Sequence, residues 1–323
     1  MPYGAGSAHF SSRTAAGFLR MNLGPIKGQL RANPGAKMTQ TRFKLVALDL
    51  DGTILDDAGH VVAGFSALAA RLAGLGVHVV LCTGRRWRTA LHVAEQLPHA
   101  SPIVICCGGA LIKDAADHRT LYIHPISSDT ARRAAELFRA GGLVPFLLMD
   151  RSLDRRELLI SELDRPRAEQ LPYIAANDYA VEYYPGPFPA LSEDALEVYT
   201  LDDGPLVRAQ MKMIRDALGD AAIVTLLSQP LYGPTQVDME VHNPTATKWQ
   251  ALLWLLERWG ITPEQVVAMG DDMNDIPMLR GAGLSFAMGD APDEVKAAAD
   301  RVTGTCLDGG AAAALRSVFP ELG

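Results

Sequence analysis

The chain has 323 residues, 48% of them apolar, and a net charge of −7. That length suits two globular units or one large one, and the negative balance argues against a nucleic-acid footprint over the whole protein. No stretch approaches the roughly eighteen consecutive apolar residues of a membrane-crossing helix, so no membrane partner is expected.

Residues 1–44 carry seven Lys or Arg and no acid, the first acid being Asp49. An organelle-targeting segment, a disordered extension and an upstream start before Met38 all fit this composition. The expectation is a basic, disordered extension over residues 1–41. The folded part begins with the apolar run Leu45-Val46-Ala47-Leu48, rich enough for a strand buried on both faces. It ends in Asp49-Leu50-Asp51-Gly52-Thr53. Alternate residues of an extended chain point the same way, so both carboxylates would project toward one point. Gly52 permits a sharp turn there, and Thr53 can close it. A plain turn also explains this pentapeptide. An EF-hand loop fits less well, because its glycine is sixth and helices flank it.

Residues 62–75 read as a helix closed by Gly74 and Gly76, and residues 76–82 as a second buried strand stopped by Thr83-Gly84-Arg85. A helix over 86–97 and a strand over 103–107, stopped by Gly108-Gly109, follow. This alternation predicts an α/β fold with a doubly wound parallel sheet. The texture then changes. Residues 131–140 and 206–218 read as helices, and 143–149, 157–163, 195–200 and 223–227 as strands, with a loop over 184–189. An α+β unit inserted over 126–234 is expected, with hinges at 125–127 and 233–234. The first texture returns over 235–323, with a helix over 247–259, a short helix opened by Thr262-Pro263-Glu264, strands over 266–269 and 284–288, and a helix over 293–299. Cys82, Cys106, Cys107 and Cys306 form no Cys-x-x-Cys pair, and three of them sit in strand-like runs. Buried thiols in a reduced, cytoplasmic chain are expected rather than a zinc site.

Four polar clusters therefore sit at strand ends or helix starts of one sheet: Asp49/Asp51, Thr83-Gly84-Arg85, Lys248, and Asp271/Asp272/Asn274/Asp275. Thr83 alone reads as a helix cap. Lys248 in a first helical turn opposes the helix dipole, which favours a functional reason for it. Gly270-Asp271-Asp272-Met273-Asn274-Asp275 crowds three carboxylates at a strand exit, where they repel one another and call for a cation.

In this combination and order, residues 42–323 resemble the haloacid dehalogenase-like hydrolases, and more narrowly the Cof-type phosphatases, whose large cap is inserted between the second and third motifs. The resemblance implies a core over 42–125 and 235–323, a cap over 126–234, and hydrolysis of small phosphate esters such as sugar phosphates or phosphorylated cofactors. It implies that Asp49 is the nucleophile and Asp51 the acid and base. Thr83, Gly84, Lys248 and Asn274 would hold the phosphate, and Arg85 would meet the substrate or cap. Mg²⁺ would be bound by Asp49, Asp271 and the Asp51 backbone carbonyl, with Asp272 and Asp275 completing the site or lying behind its ligands. An all-oxygen site suits that metal. Asp51 and the acidic cluster favour phosphate esters over the family's dehalogenation chemistry, which needs neither. A phosphomutase, or a non-catalytic protein keeping the fold, are the alternative readings. One departure stands out: Gly108-Gly109-Ala110 occupies the place of the family's usual Asn-Gly-Ala.

Overall fold

The structure is a computed structural model describing residues 42–97, 102–186, 194–228 and 232–322. The expected N-terminal extension, and residues 187–189 of the loop over 184–189, lie outside the described residues. Leu45–Leu48 (β1) forms where expected and is wholly buried. Leu45 and Ala47 pack on one side of the sheet with Leu252 and Leu255, while Val46 and Leu48 pack on the other with Phe65 and Leu72. The period-2 alternation of a strand thus feeds two helical layers at once.

The chain continues through α1 (Phe65–Gly74), β2 (His78–Cys82), α2 (Trp87–Ala94) and β3 (Ile103–Cys106). α1 starts three residues later than expected, because Gly64 sits at φ 81° and breaks the helix before Phe65. Two strands were not foreseen: β4 (Leu111–Asp114) and β5 (Thr120–Ile123) form an antiparallel hairpin beside β3.

A second unit follows, with α3 (Ser128–Ala140), β6 (Phe146–Met149), β7 (Leu158–Ser161), α4 (Arg165–Ala168), α5 (Pro172–Ala176), β8 (Val181–Tyr184), β9 (Ala195–Asp203), α6 (Gly204–Leu218), β10 (Ile223–Ser228) and β11 (Gln236–His242). The chain then returns to the first sheet with α7 (Lys248–Trp259), β12 (Val266–Gly270), α8 (Ile276–Gly281), β13 (Leu284–Ala287), α9 (Asp293–Lys296), β14 (Arg301–Val302) and α10 (Gly310–Val318). The first sheet runs β14-β13-β12-β1-β2-β3-β4-β5, parallel as far as β3. This is the α/β, doubly wound architecture, with helices on both faces. The second sheet runs β10-β11-β9-β6-β7-β8. One of its faces buries Leu147, Val198 and Met239 against Phe138 of α3 and Ile214 of α6.

The expected boundary at 234/235 is corrected by β11. Gln236–His242 pairs along its whole length with β9 and with β10, so it belongs to the second sheet. The chain crosses back only after His242. The second crossing is therefore at 243–246 rather than at Gly233-Pro234. Asn243 Nδ2 donates to the Pro125 carbonyl oxygen at 2.8 Å, and His124 Nε2 lies 2.7 Å from Thr245 Oγ1, so the two crossings are tied to each other.

Elsewhere the two units meet through charge. Arg86 and Arg88 of the first unit both reach Glu157 of the second, Arg88 Nε at 3.2 Å, and Lys113 Nζ reaches Asp150 at 2.7 Å. Arg86 and Glu157 are almost fully buried. A hydrogen bond to a charged partner contributes about 1.5–3 kcal/mol, so Glu157→Gln is expected to shift the balance of closed and open arrangements toward open by about ten- to a hundredfold. Solution scattering and proteolysis at the crossing over 124–126 would report it. An unchanged radius of gyration and an unchanged cleavage rate would refute the latch. Among the described residues, no helix is long and apolar enough to cross a membrane, and all four cysteines are free and buried.

Candidate active site

The site begins where β1 ends. Asp49 donates its backbone N–H to the Met269 carbonyl oxygen at 3.0 Å and turns its side chain inward, 5% exposed. The chain then folds back on itself, with Thr53, Ile54 and Leu55 all donating to the Leu50 carbonyl oxygen. Gly52 is needed twice over: its φ is +70°, and a Cβ there would come within 2.1 Å of Asp271 Oδ2. Thr53 Oγ1 donates to Asp271 Oδ1 at 3.2 Å, which docks the first loop on the last.

Asp51 does not join Asp49 as the alternation suggested. Its side chain is 61% exposed and is gripped by Arg85, whose Nε donates to Oδ2 at 2.8 Å and whose Nη2 donates to Oδ1 at 2.5 Å. The turn at Gly52 sets this direction, and the two-pronged guanidinium holds it. Thr83 is not a helix cap either. α2 begins at Trp87, with Arg86 in the cap position. Thr83 is buried, and its Oγ1 accepts from the Arg85 N–H at 3.0 Å, which leaves its O–H to donate elsewhere.

Lys248 opens α7, capped by the Thr247 hydroxyl accepting from the Gln250 N–H. It is 2% exposed, and its three N–H groups meet three acceptors: Asp49 Oδ1 at 2.6 Å, Asp275 Oδ1 at 2.7 Å and Asn274 Oδ1 at 2.9 Å. Burial alone would lower its pKa, but Asp275 and Asp49 outweigh that and raise it. The helix start that looked unfavourable for a lysine is offset by two carboxylates.

Asp275 is wholly buried and saturated. Its Oδ1 takes Lys248, and its Oδ2 accepts the backbone N–H groups of Asp271 and Asp272 at 3.1 Å each. A Cβ on Gly270 would lie 2.4 Å from its Cγ, so only glycine lets this carboxylate in. Asp272 takes its own next residue, its Oδ1 accepting the Met273 N–H at 2.7 Å. Asp49, Asp271 and Asp275 place one carboxylate oxygen each within 4.8 Å of the others. Burial and the Asp275 charge raise the Asp49 carboxyl, and the same two causes push Asp271 up to about 6. Three carboxylates share one ammonium here. This donor set of hard oxygens with excess negative charge fits a divalent cation such as magnesium. Asp49 and Asp271 have oxygens left for it, whereas Asp275 is committed to holding the loop.

Every predicted site residue except Asp275 lines one cavity of about 550 Å³ between the two units. The sequence reading missed the cavity's other wall, which comes from the second unit: Glu197 and Tyr199 of β9, Asp238 and Glu240 of β11, Tyr173 of α5, and Tyr232. The alternation Val237-Asp238-Met239-Glu240-Val241-His242 carried the signal for a strand with one acidic face. Gly108, the departure noted above, adopts φ +61°, and a Cβ there would meet nothing within 4 Å. Asparagine also tolerates this conformation, so the position accepts either residue. Gly109 has no such latitude, since a Cβ would lie 2.3 Å from the Thr247 carbonyl carbon.

Comparison with known proteins agrees with this geometry. Residues 46–315 match the family described as haloacid dehalogenase-like hydrolase. The chain is 28% identical over 278 residues to the 5-amino-6-(5-phospho-D-ribitylamino)uracil phosphatase YcsE of Bacillus subtilis, covering 85% of this chain and 95% of that one. It is 27% identical over 278 residues to the pyridoxal phosphate phosphatase YbhA of Escherichia coli, covering 81% and 93%. Its fold matches a haloacid dehalogenase-like hydrolase from Bacteroides thetaiotaomicron with a TM-score of 0.71 at 23% identity, over 86% of this chain and all of that one. A family match across residues 46–315, carried on an α/β core of the same architecture, shows that the chain belongs to the haloacid dehalogenase-like hydrolases of the Cof type.

Proposed function

We propose that the protein, a phosphoric monoester hydrolase, removes the phosphoryl group of a small ester by way of a phosphorylated Asp49. The observation that carries this reading is the buried contact of Lys248 with Asp49 at 2.6 Å, beside Asp271 and on the floor of a cavity that Asp51 and Thr83 also line. Lys248 donates to Asp49 Oδ1 and so fixes the carboxylate in the orientation from which one of its oxygens attacks phosphorus. As the new P–O bond forms, the ester P–O bond breaks, and the leaving alcohol takes a proton from Asp51. Asp51 then takes a proton from water, whose oxygen attacks phosphorus and releases Asp49 and inorganic phosphate. The Thr83 hydroxyl and the Asn274 amide N–H groups would donate to phosphoryl oxygens; the Asn274 carbonyl accepts from Lys248. Arg85 grips Asp51 with both prongs, and a bound phosphoryl group competes for the same guanidinium, which frees Asp51 for proton transfer.

Asp49, Asp271 and the Asp51 backbone carbonyl are the proposed ligands of magnesium, which supplies neutralisation of the charge that builds on the phosphoryl oxygens. The second unit acts as a cap that excludes water from the cavity while the phosphoryl group moves. The substrates of the two named relatives, a phosphoribitylamino-uracil and pyridoxal phosphate, point to phosphorylated cofactors or their precursors as the substrate class.

Release of inorganic phosphate from a panel of phosphorylated metabolites tests this. Activity is expected to vanish in a chelator and to return with added magnesium. Full turnover in chelator would sink the metal assignment, and no release from any ester would sink the reaction.

A further inference from the structure

The cavity wall opposite Asp49 has a chemistry of its own. β11 points Val237, Met239 and Val241 into the helical layer, and so turns Asp238 and Glu240 toward the cavity. β9 adds Glu197 and Tyr199 on the same side. Three carboxylates thus face one base, His242. Its Nε2 lies 3.0 Å from Glu240 Oε2, and its Nδ1 lies 3.5 Å from Glu197 Oε1. Two acceptors of this wall have no hydrogen-bond donor, the buried Glu197 Oε1 and Asp238 Oδ1. Asp238 is 6% exposed. Burial and the nearby Glu240 and Glu197 raise the pKa of its carboxyl, so holding charge there is costly without a donor.

The other polar groups of this wall are already engaged. Arg86 donates to Glu157, Asn177 and Tyr179. The hydroxyls of Tyr173 and Tyr199 bond each other at 2.7 Å, and Tyr232 accepts from Asn177 at 3.4 Å. The wall therefore offers acceptors and negative charge beside aromatic faces, with its cations spent.

We propose that the substrate's leaving group is a compact, nitrogen-bearing ring or amine that presents N–H donors or a positive charge to Asp238 and Glu240, and that these two acids set specificity. The proposal rests on the phosphatase reading above and names the part of the ester that reading leaves open. Charge-assisted bonds are about twice as strong as neutral ones, so such a donor outcompetes a sugar hydroxyl at this wall. The same acids repel a second anion, which disfavours bisphosphates. A phosphomutase, which must retain a bisphosphate intermediate, would find this wall hostile.

The test is steady-state hydrolysis by the full chain with magnesium, on four probes. Pyridoxamine 5′-phosphate carries a cationic amine, sorbitol 6-phosphate is a neutral polyol, fructose 1,6-bisphosphate carries a second anion, and 4-nitrophenyl phosphate has no N–H. The wild type is expected to favour pyridoxamine phosphate over both the polyol and the bisphosphate by about tenfold or more in kcat/KM, as a site built around a specific hydrogen bond does. Asp238→Asn, which keeps shape and imitates the protonated acid, is expected to erase about tenfold of that preference through KM, while 4-nitrophenyl phosphate turnover falls by a much smaller factor. If that variant melts well below the wild type, Glu240→Gln carries the same comparison. A wild type that favours the polyol or the bisphosphate, or a variant that keeps the full preference, overturns the proposal while leaving the phosphatase reading intact. Failure to hydrolyse even 4-nitrophenyl phosphate overturns both.

Discussion

Asp49→Asn is expected to release no phosphate from any ester, whereas Asp51→Asn should lose about 10²- to 10⁴-fold on alkyl esters and much less on aryl ones in the first step. The two carboxylates sit two residues apart but face different partners, Lys248 for Asp49 and Arg85 for Asp51. An amide at 49 is a poor nucleophile and a poor metal ligand, and it also sets an uncharged oxygen against the buried ammonium. An amide at 51 leaves the nucleophile whole but removes the proton donor and the later base. A nitrophenolate leaves without a proton, so the first step survives while hydrolysis of the phosphorylated enzyme stays slow. Mass spectrometry of the Asp51→Asn protein mixed with an aryl phosphate should therefore find a phosphoryl group on Asp49. Near-normal turnover by Asp49→Asn, or a label on another residue, would remove the nucleophile assignment.

Lys248→Met is expected to cost about 3–5 kcal/mol of folding stability, because it strips the ammonium from a buried cluster and leaves Asp49 and Asp275 without the charge they bond. Asp275 also holds the Asp271 and Asp272 backbone N–H groups, so the loss should spread to the whole loop after β12. Urea unfolding measures the first effect and phosphate release the second. Lys248→Arg is not expected to restore either, since a flat guanidinium cannot place three donors where one tetrahedral Nζ meets three acceptors at 2.6–2.9 Å. A Lys248→Met protein as stable as the wild type would show that the cluster is neutralised some other way.

The floor of the site was legible in the sequence because one rule governs it. Buried parallel strands read as apolar runs, their carboxyl ends are marked by glycine, and the sheet brings those ends together. Asp49, Thr83 and Asp271 converge on that ground alone, whereas Lys248 reaches them from the start of α7. The direction of Asp51 was not legible, since it depends on a turn at positive φ and on a guanidinium 34 positions away. The facing wall was not legible for a different reason. Glu240 lies opposite Tyr199 because β11 pairs with β9, and pairing between strands so far apart is a property of the folded sheet, not of either segment. The strand at 236–242 was missed altogether, although its alternation carried a signal, and the misplaced boundary followed from that. The hairpin of β4 and β5 escaped because its strands are only four residues long and extend the first sheet in the antiparallel sense.

The bond from Asn243 to the Pro125 carbonyl closes the second unit's two ends onto each other. The long excursion between them is, for the first sheet, no wider than a tight loop, and its length adds little to the entropy of closing that loop. A different insert joined at Pro125 and Asn243 is therefore expected to leave the register of β5 and the start of α7 unshifted, and to exchange the acidic wall while the floor of the site stays as it is.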